Sequence, residues 1–315
     1  MDARPLPYPA LTVKNGPGRG LTEQQIFPGQ AYEKPSAGIH PPNPTLLRRA
    51  LDWVPLHDLM AAHVDFSGRF DRAVKRLDAE GGHALPAAQA HFHFFDALLF
   101  SVDPKAITTR LLDYVVDNGH IRWIGTHFLD GGDWRAILAP VSKSYSHAEI
   151  VELCKYRRNF QEGPRYKRYA ERIAKGETVH RNRIALDTAD KLDGYFEYYL
   201  ALISDIEKNG IVPHSDLGLR GQTGRRHRWT RTFWQDFAER DIGVAIDADG
   251  RLVRHTNGKH RMAVALALGL PRIPVEIRMV HARWLQRQSE TLGLSPKDAL
   301  LATLEDARAN GWPAT

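Results

Sequence analysis

The chain has 315 residues, 43% hydrophobic and 25% charged, a balance that excludes a disordered or collagen-like polypeptide and suits one large or two ordinary domains. Its 43 Lys and Arg against 37 Asp and Glu leave a formal charge of +6, small for a protein that holds nucleic acid by charge alone. The single cysteine, Cys154, excludes an internal disulfide and a Cys-rich zinc site.

Residues 1–45 are punctuated by Pro5, Pro7, Pro9, Pro17, Pro28, Pro35, Pro41, Pro42 and Pro44 and read as an extended arm. The arm begins with Pro, Gly and charge where a signal peptide would need an apolar stretch, and no run in the chain reaches the ~18–20 apolar residues that cross a bilayer. The expectation is therefore a cytoplasmic protein with no membrane partner. Leu46, Leu47, Leu51 and Val54 predict a helix from Pro44 through Met60, and further helices are expected over Gly68–Leu77, Pro86–Phe100 and Pro104–Asp117. From His120 to Leu138 the texture changes to a short strand, a turn at Asp130-Gly131-Gly132-Asp133 and another short element.

Helical patterning resumes at His147–Phe160, Pro164–Lys175 and Lys191–Asn209, the last stopped by Gly210. Ile242–Ile246, the turn Asp247–Gly250 and Arg251–Arg254 read as a hairpin. A helix over Lys259–Leu268, a strand over Pro274–Val280 and a final helix over Lys297–Asn310 follow. The division expected is an arm at 1–45, a mainly helical domain at 46–145, an α/β domain at 146–290 and a closing helix at 291–315.

The chemistry concentrates at Thr256-Asn257-Gly258-Lys259-His260-Arg261, between the hairpin and a helix of small residues (Ala263, Val264, Ala265, Ala267). Gly258 permits close backbone approach, the first helical amides point outward, and the helix terminus adds partial positive charge to Lys259 and Arg261. His260 is placed to donate to a phosphate oxygen. An anion site is expected.

These residues carry a resemblance to the ParB/sulfiredoxin fold family: Asn257–Arg261, the Ala-rich helix, Gly269, then Ile273-Pro274-Val275. Upstream, Leu202–Ile206 with Asn209-Gly210-Ile211 is similar to the helix that opens that domain, and Gly131-Gly132-Asp133-Trp134 recurs in a ParB-like group. The resemblance spans residues 190–285. It implies an α/β ParB/sulfiredoxin-like mixed domain that binds nucleotide phosphates, those of ATP or CTP, on Thr256–Arg261. Members of the family hydrolyse CTP while clamping DNA, use ATP to repair oxidised peroxiredoxin, or phosphorylate free serine. The repair chemistry needs a cysteine where Lys259 stands. Partitioning proteins need a helix-turn-helix longer than the segment after His281 supplies.

A phosphotransferase acting on a small hydroxylated metabolite or sugar remains, with Mg²⁺ as the expected ion. Asn257 stands where the serine-kinase branch has Asp, so another acid must serve; Asp241 is preferred, with Asp247 and Asp249 as alternatives. Lys259 and His260 complete the expected catalytic set. A nucleotide-dependent switch without turnover is the alternative, and DNA binding a weaker one.

Other patterns carry two readings each. His91, His93 and Asp96 read as histidines packed in an aromatic helix or as metal ligands. Arg220–Arg231, six basic residues counting His227 and no acid, offers Arg225, Arg226 and Trp229 to a phosphate and a base, or forms a solvated loop. Asp216, Asp236 and Glu239 flank that loop, the last two spaced for surface pairing. Lys155–Arg168 holds six basic residues and one acid and reads as amphipathic helices with inward aromatics, or as a nucleic-acid surface. Asp133 either belongs to a tight turn anchored by Trp134 or faces the substrate.

Overall fold

The computed structural model describes residues 65–112, 114–117, 120–123, 127–181, 184–211, 241–255 and 258–313. The arm, the helix expected over 44–60 and the basic loop at 220–231 lie outside the described residues.

Asp65 caps α1 (Phe66–Glu80) by accepting from the Gly68 amide, and Phe66, Phe70, Val74 and Leu77 line its buried face. Then follow β1 (His83–Pro86), α2 (Ala87–Phe94), β2 (Leu99–Val102), β3 (Thr109–Leu111), β4 (Tyr114–Asp117), β5 (His120–Trp123), β6 (His127–Asp130) and β7 (Leu138–Pro140). The structure differs here from the sequence expectation. The helix expected over Pro86–Phe100 ends at Phe94, and no helix covers Pro104–Asp117. Asp103 caps only a single 3₁₀ turn, Pro104–Ala106, before β3. The β-branched residues Ile107, Thr108, Thr109, Val115 and Val116 favour extended backbone once neighbouring strands are available.

The second half runs α3 (Tyr145–Lys155), α4 (Pro164–Ala174), β8 (Val179–Arg181), β9 (Ile184–Leu186), α5 (Ala189–Asn209), β10 (Ile242–Ile246), β11 (Leu252–Arg254), α6 (Lys259–Leu268), β12 (Ile273–His281), α7 (Ala282–Leu292) and α8 (Pro296–Asn310). The expected helices, hairpin and strand of this half are present. The short pair β8–β9 and the helix α7 were not anticipated.

One mixed sheet runs β1-β6-β12-β10-β11-β3-β7, with β2 along the first half of β12. β10 and β12 are parallel, as are β12 and β6 and β11 and β3; the remaining pairs are antiparallel. A helical domain at 46–145 apart from an α/β domain is therefore not what forms: strands from both halves share this sheet. The local pattern of β2, β3 and β6 is too short to reveal partners more than a hundred residues away. The fold is mixed α/β. Among the described residues no helix is long and apolar enough to cross a membrane.

Two hydrophobic cores flank α6. The first joins the sheet to α1, α7 and α8 and takes Met262 and Ala265 from α6. The second joins α3, α4 and α5 and takes Ala263 and Val264. The aromatic residues of the basic run, Tyr166 and Tyr169, pack in this second core, while Lys167 and Arg157 meet Glu162 and Glu207 at 2.6 and 2.7 Å. The amphipathic reading of that run holds.

Inside the second core Glu149 takes a two-point grip from Arg181 (3.1 and 2.7 Å) and a hydrogen bond from the Tyr195 hydroxyl (2.8 Å). Arg181 stacks on the Tyr145 ring at 3.8 Å, with Arg165 4.3 Å from the same ring. The Asp130–Trp134 turn is equally closed. Asp130 Oδ1 accepts from Gly132 N (2.8 Å) and Trp134 Nε1 (2.9 Å), and the His281 ring meets the Gly132 carbonyl at 2.9 Å. Asp133 caps the following 3₁₀ turn and pairs with Arg135. The turn is structural, anchored by Trp134.

Removing the Glu149 carboxylate strands a buried guanidinium. Glu149→Ala is expected to cost about 3–5 kcal/mol in urea denaturation, with Glu149→Gln costing less because the Tyr195 hydrogen bond survives. Burial, only partly opposed by the Gly132 carbonyl, holds His281 below its ordinary value. The unfolded chain then binds more protons, so stability present above about pH 6.5 falls as the pH drops below it. The thermal midpoint of His281→Gln should decline less steeply than wild type between neutral and mildly acid pH; equal slopes would remove His281 from the account.

Candidate functional site

The site expected from the sequence lies where α6 meets the start of β10. Gly258 adopts φ 71° at the N-cap of α6, and a Cβ there would stand 2.7 Å from Ile242 Cα. Only glycine fits. It brings no side-chain oxygen to the first helical turn, unlike Asp65, Ser144, Thr188 and Ser295, which cap α1, α3, α5 and α8. Lys259, His260 and Arg261 form that turn and are half-buried. The His260 ring packs on Tyr199 at 4.7 Å, and Tyr199 in turn on Tyr195 at 5.0 Å. His260 thus ties the turn to α5. Thr256 and Asn257 lie outside the described residues, as do Arg225, Arg226, Trp229, Asp216, Asp236 and Glu239.

Beside the turn the sheet carries buried charge. Gly243 of β10 pairs with Glu276 of β12, and its carbonyl accepts from the His255 amide (2.8 Å). A Cβ on Gly243 would meet Arg278 Cγ at 2.9 Å. The missing side chain leaves the lane along which Arg278 reaches Glu276, with nitrogen and oxygen 2.9 Å apart. Asp241, Glu276, Arg278 and His255 are all buried, Asp241 completely. Burial pushes the Arg261 and Arg278 guanidiniums below their ordinary values; Asp241 opposes it most at Arg261, and Glu276, then Asp241, at Arg278. Among the described residues around the start of α6, three cations, Lys259, Arg261 and Arg278, stand against two carboxylates, Asp241 and Glu276. The excess is positive, and the helix terminus adds to it.

This arrangement alters the part expected of Asp241. Asp241 has no exposed surface, and its charge acts on both the Arg261 and the Arg278 guanidinium. Asp247 and Asp249 lie at the far end of β10, about 17 Å along a five-residue strand. Asp247 Oδ1 there accepts from the Asp249 and Arg251 amides of the hairpin turn. Mg²⁺ takes carboxylate oxygens with an open face. Asp241 is buried beside two guanidiniums and Asp247 is engaged by the turn amides, so neither offers the ion an open face.

Of the other candidates, His93 stacks on Phe66 at 3.7 Å within α2, and Asp96 is exposed. Among the described residues no three His, Cys, Asp or Glu side chains gather as metal ligands do.

Sequence reasoning missed Glu276, Arg278, Arg254 and His255. Glu276 and Arg278 alternate with Val275, Ile277 and Met279, which reads as a strand with one wet face. Only the pairing of β12 on both edges makes that alternation a buried ion pair.

No family model matches the chain, and no curated protein and no solved structure matches it.

Gly258→Ala should cost about 2–3 kcal/mol from left-handed strain and collision with Ile242, measured by chemical denaturation. An unchanged midpoint would mean that the turn is not held against β10.

Proposed function

We propose that the chain is a nucleotide-binding protein of the ParB/sulfiredoxin-like kind that grips the phosphates of ATP or CTP at the start of α6. One observation supports this reading above the others: a left-handed Gly258 pressed against β10 opens a buried-ended helix whose first turn carries Lys259 and Arg261. Backbone amides, the helix dipole and two cations then face one place. Arg261 gives a planar fork for two phosphate oxygens, and Asp241 keeps that fork aimed. Behind them Arg278, buried in the sheet and paired with Glu276, adds charge that is not offered to solvent.

Phosphoryl transfer to a small hydroxylated metabolite or sugar is the activity this cradle suits. Lys259 and Arg261 would neutralise charge that develops on the equatorial oxygens of the moving group. A nucleotide-dependent switch without turnover is the second reading, and the burial of Asp241 favours it, because no carboxylate described near the turn is open to an acceptor.

Calorimetry with ATP and CTP, with and without Mg²⁺, tests the binding. Arg261→Ala should weaken nucleotide roughly 10- to 100-fold, the value of a charge-assisted hydrogen-bond pair; undiminished affinity would place the nucleotide elsewhere. Turnover that rises only when a hydroxylated acceptor is added favours the transferase, and tight binding without turnover favours the switch.

A further inference from the structure

Four aromatic residues of α5 divide unequally. Tyr195, Phe196 and Tyr199 turn into the second core, whereas Tyr198 is 65% exposed. The Tyr198 ring stands edge to face with Tyr199 at 5.1 Å, and Tyr199 packs in turn on the His260 ring at 4.7 Å. Two ring contacts therefore link the exposed tyrosine to the first turn of α6. Burial lowers the Arg261 guanidinium, and the Tyr198 hydroxyl is among the groups that oppose this, after Asp241 and Glu276. Tyr198 and Arg261 are thus neighbours across the gap between the two helices.

The helix surface is cut away beside this ring. Gly194 stands one turn before Tyr198 on the same face of α5, on the side toward which helical side chains lean. Glycine is a poor helix former, and no close approach asks for it here. A Cβ on Gly194 would have no neighbour within 4 Å among the described residues. What the glycine provides is space: bare helix backbone next to an exposed aromatic ring.

We propose that Tyr198 is the stacking platform for the base of the bound nucleotide, and that this ligand is a purine nucleotide, ATP over CTP. The inference rests on the nucleotide reading of the α6 turn. With the phosphates on the amides and cations of Lys259–Arg261, the ribose bridges the remaining distance to Tyr198. Every base has a π-face that stacks on an aromatic ring, and the gain grows with the overlap. A purine covers more of the tyrosine than a pyrimidine does, and the side chain missing at Gly194 leaves room for its second ring.

Calorimetry on the full chain separates base from phosphates with three probes: ATP, CTP and inorganic tripolyphosphate, which has no base. Wild type should bind ATP several-fold more tightly than CTP. Tyr198→Ala should lose roughly tenfold or more for ATP and less for CTP, yet bind tripolyphosphate as wild type does. Tyr198→Phe keeps the ring and should keep the ATP affinity. Gly194→Gln fills the space with a better helix former, so it should melt no lower than wild type and still bind ATP more weakly. Arg261→Ala should weaken all three probes. If no probe binds wild type, or Arg261→Ala weakens none, the nucleotide reading fails and this inference with it. If Arg261→Ala weakens ATP but Tyr198→Ala does not, or if Tyr198→Ala weakens tripolyphosphate equally, the phosphate turn stands and the base platform is overturned. Equal wild-type affinities for ATP and CTP overturn the purine preference.

Discussion

The position of α6 is the constraint on which the rest depends. This helix is buried on two sides, giving Met262 and Ala265 to the core beneath the sheet and Ala263 and Val264 to the core of α3, α4 and α5. A helix shared in this way needs small side chains, because each neighbour must approach its backbone closely. It also needs a rigid start. Gly258 provides one by seating the first turn directly on Ile242. Everything charged about the site follows: the cations of that turn are brought to the end of β10 and β12, where Asp241, Glu276 and Arg278 lie.

Local signals made the second half legible. Gly210 after Asn209, Gly269 after Leu268 and Pro296 at the start of α8 mark helix ends that the structure keeps. The hairpin β10–β11 announced itself through apolar alternation and an Asp-rich turn. The first half was less readable because its strands are three or four residues long, and what holds β2, β3 and β6 extended is pairing with β12 and β11, far along the chain. No window around Leu99–Val102 contains that information. A run such as Pro104–Asp117 has helix-like spacing of apolar residues, and tertiary pairing overrides it.

The candidate site was legible in one layer only. Gly258 to Arg261 could be picked out because glycine, small residues and cations coincide over a few positions. The residues that set the electrostatics of that turn could not. Asp241 stands out only as a junction acid, with nothing to say that it is buried beside Arg261 and Arg278, and Arg254 and Arg110 are 144 positions apart, so nothing local hints that they are strand partners. Charge inside a strand is routinely taken as the solvent face, and here the sheet is closed over it.

The irregularity between β10 and β12 carries a consequence of its own. Val244 pairs with Ile277 but Ala245 pairs with Met279, so Arg278 is an extra residue in the ladder. Without it, a one-step slide of β12 would be limited only by side-chain fit. With it, sliding would thrust a guanidinium among Ile242, Val244 and Ile246, and such misthreaded forms are penalised while the chain is still assembling. The bulge thus acts as an index notch, letting two long-separated strands find a single alignment.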